Sequence, residues 1–163
     1  MGCSYYKKYG SDMKLSDEIF KTVIEATPLI SIDFVIKNQS GECLLGLRKN
    51  APAEGYWFNL GGRIFKNETI EKAQDRVFQE ETGLQLNRDT LKFLGVFNHI
   101  YQDNLYLIPG FGTHYVCLAY EVTLNSFNLP KTTIQHLEYR WLDVNTLLLS
   151  DDVHENTKTC FKF

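Results

Sequence analysis

The sequence predicts one domain of the α/β class. Three observations support this. The length of 163 residues fits a single domain with a core of its own. Helical and strand patterns alternate along the chain with no repeat or low-complexity tract between them. Hydrophobic content of 44% and charged content of 23% match folded chains and argue against wholesale disorder.

Residues 1–15 are polar and rich in Tyr and Lys and read as an N-terminal tail, leaving 16–163 as the folded unit. Ser16 is a helix N-cap candidate, with Asp17 and Glu18 in the first turn and Ile19, Phe20, Val23 and Ile24 at helical spacing. This predicts a helix over 16–27, stopped by Pro28. Leu29–Lys37 and Glu42–Arg48 read as strands around an Asn38–Gly41 turn, which predicts a hairpin. Tyr56–Leu60 reads as a short strand ending at Gly61-Gly62. Thr69–Thr82 is the second helix, capped by Thr69 and closed by Gly83. Strands follow at about 91–100 and 113–123, separated by a loop, Gln102–Gly112, of a length that often carries function. Glu138–Leu142 is the last strand, and 145–160 is partly helical.

Several functions are disfavoured. A net charge of −3 argues against holding nucleic acid by general electrostatics, though a pocket for phosphate needs only a few local cations. No run approaches the ~20 apolar residues of a membrane span. The N-terminus lacks a signal-peptide core, and Tyr6 stands where myristoylation needs Ser or Thr. The four cysteines have no CxxC spacing. They read as reduced thiols of a cytoplasmic protein, with zinc binding not expected.

The informative stretch is Gly61–Leu84. A glycine pair admits close backbone approach, and a loop then leads into a helix that ends in Arg76, Glu80 and Glu81. Residues at i and i+4 share a face, so Arg76 lies beneath Glu80 and Val77 beneath Glu81. Adjacent carboxylates near a glycine turn suit a hard divalent cation. By itself, each of these glutamates reads as a solvated helix residue.

This stretch resembles the Nudix box, G-x5-E-x7-R-E-U-x-E-E-x-G-U with U apolar. Eight of nine specified positions fall in register: Gly62, Glu68, Arg76, Phe78, Glu80, Glu81, Gly83 and Leu84. The miss is Val77, where ordinary members carry a Glu that binds metal or serves as base. The chain is similar over about 16–161 to one branch, the GDP-mannose mannosyl hydrolases, which also lack that Glu. The resemblance is carried by 27–48 (TPLISIDFVIKNQSGECLLGLR), 52–63 (PAEGYWFNLGGR), 95–104 (GVFNHIYQDN), 113–120 (THYVCLAY), 135–142 (QHLEYRWL) and 150–161 (SDDVHENTKTCF). It implies an α/β/α sandwich with a mixed β-sheet.

The resemblance also implies roles. Mg²⁺, with Mn²⁺ as a substitute, would be held by Gly61, Glu81 and Gln135, all oxygen donors of the kind Mg²⁺ prefers. Arg63 and Tyr115, with Arg48, would stabilise a departing diphosphate. Asp33, an acid inside an apolar strand, and His99 would bind substrate. His136, on a loop beside Gln135, would be the general base. The implied reaction sends water to the anomeric carbon of a GDP-sugar (GDP-mannose or GDP-glucose) in a cytoplasmic homodimer. Glu80, an extra carboxylate for this branch, is a candidate for a second cation. The alternatives are a Nudix pyrophosphatase attacking phosphorus and a non-catalytic nucleotide-binding module.

Overall fold

The strand Leu29–Lys37 (β1) organises the molecule. A computed structural model describes residues 15–124 and 136–162, so the tail 1–14 and Gln135 lie outside the described residues. Ser16 caps the first helix (α1, Asp17–Ala26), its Oγ accepting from Ile19 N at 3.4 Å. β1 then runs parallel to β6 (Thr113–Thr123) along its whole length, from Leu29↔Tyr115 to Lys37↔Thr123. β5 (Lys92–Tyr101) pairs antiparallel with the far side of β6.

On its other side β1 changes partner. Over Ser31–Phe34 it pairs with β4 (Leu60–Arg63), whereas β2 (Cys43–Arg48) meets it in register at Lys37↔Cys43. The expected hairpin is therefore joined at its turn, where Asn38 Oδ1 accepts from Ser40 N and Glu42 N. β2 pairs instead with β3 (Trp57–Phe58) and with β7 (His136–Leu142). The single strand expected over Tyr56–Leu60 is thus two strands with different neighbours. Among the described residues, seven strands form one mixed sheet.

Alternation along β1 sorts two cores. Ile32, Phe34 and Ile36 face the helix Ile70–Thr82 (α2) and meet Ala73, Val77 and Phe78, with the Phe34 and Phe78 rings edge-to-face at 5.2 Å. Val35 faces the other way, toward Leu147 of α3 (Val144–Leu149) and Val153 and Cys160 around α4 (Glu155–Thr159). Helices on both faces of a mixed sheet make the α/β/α sandwich that the sequence implied. Gly83 ends α2 in the left-handed region at φ 74°, as its position requires. No helix among the described residues is long and apolar enough to cross a membrane.

Candidate active site

The α2 segment locks itself in place. Arg76 grips Glu68 with both arms of its guanidinium, Nε–Oε1 at 2.7 Å and Nη2–Oε2 at 2.9 Å. It also donates to Arg63 O at 2.7 Å and to Glu80 at 2.9 Å. Glu68 in turn accepts from Phe65 N at 2.9 Å. These bonds from Arg76 hold the Glu68 carboxyl below its ordinary range. Glu80, considered above for a second cation, lies half-exposed against Arg76.

Glu81 takes the opposite course. It is 3% exposed, and its Oε2 lies 3.0 Å from His136 Nε2. His136, expected on a loop, opens β7 and is almost wholly buried. The space for its ring exists because residue 46 is glycine: a Cβ there would come 2.5 Å from His136 Nδ1. Val77, one turn before Glu81, is buried against Gly62, with its methyls within 3.2 Å of where a Cβ on Gly62 would stand. An apolar contact fills the place of the missing box carboxylate.

Gly61 lines a cleft on the sheet surface. A Cβ on Gly61 would strike Ile32 O and come 2.5 Å from Asp33 Oδ1. Asp33, Arg48, Gly61, Arg63, His99 and Tyr115 all line that cleft. They come from β1, β2, β4, β5 and β6, so the splayed junction of β1 with β2 and β4 is what lets them converge. Burial pushes the Asp33 carboxyl upward; His99, Cys117 and Arg48 oppose the shift, and Glu81 adds to it. Asp33 is therefore not the exposed edge residue that a lone strand acid usually is. Burial likewise holds the His99 imidazolium down and raises the Tyr115 phenol. Arg48 donates to Pro52 O at 2.9 Å. The Arg63 guanidinium lies 3.9 Å over the Phe20 ring of α1.

The donor set fits a hard dication. Gly61 offers a backbone carbonyl oxygen, and Glu81 is a buried carboxylate that faces a histidine at 3.0 Å instead of a lysine or arginine. The structure thus gathers six of the nine candidate residues in one cleft and pairs Glu81 with His136 beside it. Gln135 lies outside the described residues.

A family model for the NUDIX domain matches residues 27–162. The chain belongs to the Nudix family. The low-salt glycan biosynthesis protein Agl8 of Haloferax volcanii is 38% identical over 128 residues, 78% of each chain. An oxidized purine nucleoside triphosphate hydrolase of Danio rerio is 39% identical over 64 residues, 39% of this chain and 40% of that one. Among solved structures, a MutT NUDIX hydrolase from Burkholderia pseudomallei superposes with a TM-score of 0.68 at 27% identity, covering 83% of this chain and 97% of that one. The protein is a Nudix hydrolase, an enzyme class that acts on nucleotide-containing substrates and generally uses divalent metals.

Sequence reasoning missed part of this Nudix cleft. Phe20 of α1 roofs it and stacks on Arg63. The amphipathic pattern placed Phe20 on a buried face but could not say what it covered. Tyr101 lines the cleft among the rings of Phe58 and His154, and His154 Nδ1 accepts from Asn156 N at the start of α4. Cys117, read only as a reduced thiol, stands beside Asp33 and His99.

Proposed function

We propose that this Nudix enzyme hydrolyses a GDP-sugar, GDP-mannose or GDP-glucose, by attack of water on the anomeric carbon, yielding GDP and the free sugar with inversion. The observation that carries this reading is Val77. Its burial against Gly62 leaves Glu81 as the α2 carboxylate beside the glycine pair, and Glu81 faces a histidine at 3.0 Å. A base that is a histidine, with one fewer helix carboxylate, departs from attack at phosphorus and matches the mannosyl hydrolase branch. The glycan-biosynthesis relative supports a sugar-bearing substrate.

The roles follow from the chemistry of each group. Gly61 O, Glu81 and Gln135 would hold Mg²⁺, which when bound supplies charge neutralisation to the diphosphate. Arg63 and Arg48 offer guanidinium forks to phosphate oxygens, and Tyr115 donates its hydroxyl as the leaving group gains charge. Phe20 fixes the plane of the Arg63 guanidinium. Asp33 and His99 present an acceptor and a ring nitrogen to sugar hydroxyls. His136 takes the proton of the attacking water, and the Glu81 carboxylate lies 3.0 Å from its Nε2 and orients the ring. A single displacement on the face opposite the diphosphate inverts the carbon, as in inverting glycosidases. The reading takes 16–163 as one domain acting as a cytoplasmic homodimer.

The test is turnover of GDP-mannose with Mg²⁺ in ¹⁸O-enriched water, with mass analysis of both products. Label in the sugar and none in GDP is the expected result. Label in a phosphate product would overturn it in favour of the pyrophosphatase reading, which the purine nucleoside triphosphate hydrolase relatives favour.

A further inference from the structure

Asp33, His99 and Cys117 form a cluster that the proposed chemistry uses only in part. They come from β1, β5 and β6, so no sequence spacing announces them. One ligand atom from each lies within 4.8 Å of the others, and all three residues are buried. Asp33 Oδ2 and His99 Nδ1 are 3.8 Å apart, and the Cys117 thiol hydrogen-bonds Asp33. His99 is 2% exposed, and its Nε2 has no hydrogen-bond partner among the described residues.

We propose that Asp33, His99 and Cys117 bind a thiophilic divalent cation of the Zn²⁺ class, through a donor set different from the oxygen donors Gly61 and Glu81 that adjoin it, and that its occupation blocks the cleft. The ligand types decide the metal. One sulfur, one imidazole nitrogen and one carboxylate oxygen suit Zn²⁺, whereas Mg²⁺ calls for a shell of oxygens. Tetrahedral Zn²⁺ places its ligands roughly 3.3–3.8 Å apart, given bonds of about 2.0–2.3 Å. The three atoms reach that spacing by moving about 1 Å or less. Charge also favours the site. Zn²⁺ displaces the thiol proton, so that the S–H bond breaks, an S–Zn bond forms and one proton leaves to solvent. A carboxylate and a thiolate then neutralise the dication, and the buried charge of Asp33 acquires a partner. Asp33 and His99 line the cleft, so an ion held by them would stand at its wall. Binding at this cluster is independent of the substrate assignment, while the blockade rests on that reading.

The experiment titrates Co²⁺, as a spectroscopic stand-in for Zn²⁺, into the metal-free full chain. The wild type is expected to develop sulfur-to-cobalt charge-transfer absorption that Zn²⁺ abolishes by competition. Cys117→Ser is expected to lose this band and to bind Zn²⁺ at least tenfold more weakly, while keeping Mg²⁺-supported turnover that now resists Zn²⁺. Absence of the band, or a band and Zn²⁺ affinity unchanged in Cys117→Ser, overturns the site. Circular dichroism checks that this variant folds. If it does not, His99→Gln must weaken Zn²⁺ binding by a similar factor, and unchanged affinity there overturns the site equally. A Cys117-dependent band in a protein that does not turn over GDP-mannose would refute the substrate reading and leave the metal site standing.

Discussion

The α2 segment and the cleft wall are built on opposite electrostatic terms. Around α2, Glu68, Arg76 and Glu80 satisfy one another within a stretch of thirteen residues, and the acid Glu68 is stabilised as an anion. In the wall, Asp33 is an acid held in an environment that penalises its charge. The first region is rigid because its charges are paired. The second keeps its acid buried, with a histidine 3.8 Å away in place of a guanidinium grip. A stable protein could do without the second arrangement, so the cost sits where substrate is expected.

The largest expected effects lie where the two regions meet. His136→Gln removes the base and is expected to lower turnover roughly 10²–10⁴-fold while sparing GDP binding. Unchanged turnover would remove His136 from the chemistry and leave it only the task of holding Glu81. Glu81→Gln is expected to cost roughly 10²–10³-fold, with a rightward shift of the Mg²⁺ titration. A metal response like that of the wild type would take Glu81 out of the ligand set.

Next come two substitutions that separate the regions by stability. Arg76→Leu breaks the grip on Glu68, the bond to Arg63 O and the pair with Glu80. The expected loss is about 2–3 kcal/mol, read as a fall in Tm of about 4–12 °C. Because the folded-state pKa of Glu68 is depressed, its contribution is present above the ordinary value of 4.5 and fades as pH falls through the lowered folded value. Asp33→Asn has the opposite sign. A raised folded-state pKa means that wild-type stability falls as pH rises from 3.8 through the folded value. The variant should therefore match the wild type in acid and exceed it near pH 7 by about 2–4 °C, while losing turnover. Calorimetry from below pH 3.8 up to pH 7 reads both. A variant less stable than wild type at pH 7 would show that Asp33 is already compensated within the fold.

The difference between the regions also explains what was legible in the sequence. The α2 segment is local: its caps, Arg76–Glu80 spacing and Val77 can all be read along one helix, and each stands in the structure where the pattern put it. The cleft wall is long-range. Asp33, His99 and Cys117 are brought together by the parallel β1–β6 register and the β5–β6 pairing, and no periodicity encodes a register. The resemblance supplied Asp33 and His99, but not Cys117. The splitting of Tyr56–Leu60 into two strands escaped for the same reason: β3 and β4 differ in partner, not in pattern. His136 was misplaced on a loop because its burial depends on the absent side chain of Gly46, ninety residues away.

The smallest expected effect tests whether α1 belongs to the cleft or merely covers it. Ser16→Ala removes the N-cap and costs the helix about 1 kcal/mol. α1 holds to the body through Phe20, Ile24 and a hydrogen bond from Tyr106 Oη to Asp17 at 3.0 Å. Fraying it withdraws the Phe20 ring from Arg63 and leaves the guanidinium free to rotate. Arg63 would then pay the entropy of ordering at the moment of binding, which appears as a KM raised about 2–5-fold with kcat unchanged. Phe20→Leu should give the same signature without disturbing the cap. A fall in kcat at constant KM in both variants would instead place α1 in contact with the transition state, and the roof would then be part of the catalytic wall it covers.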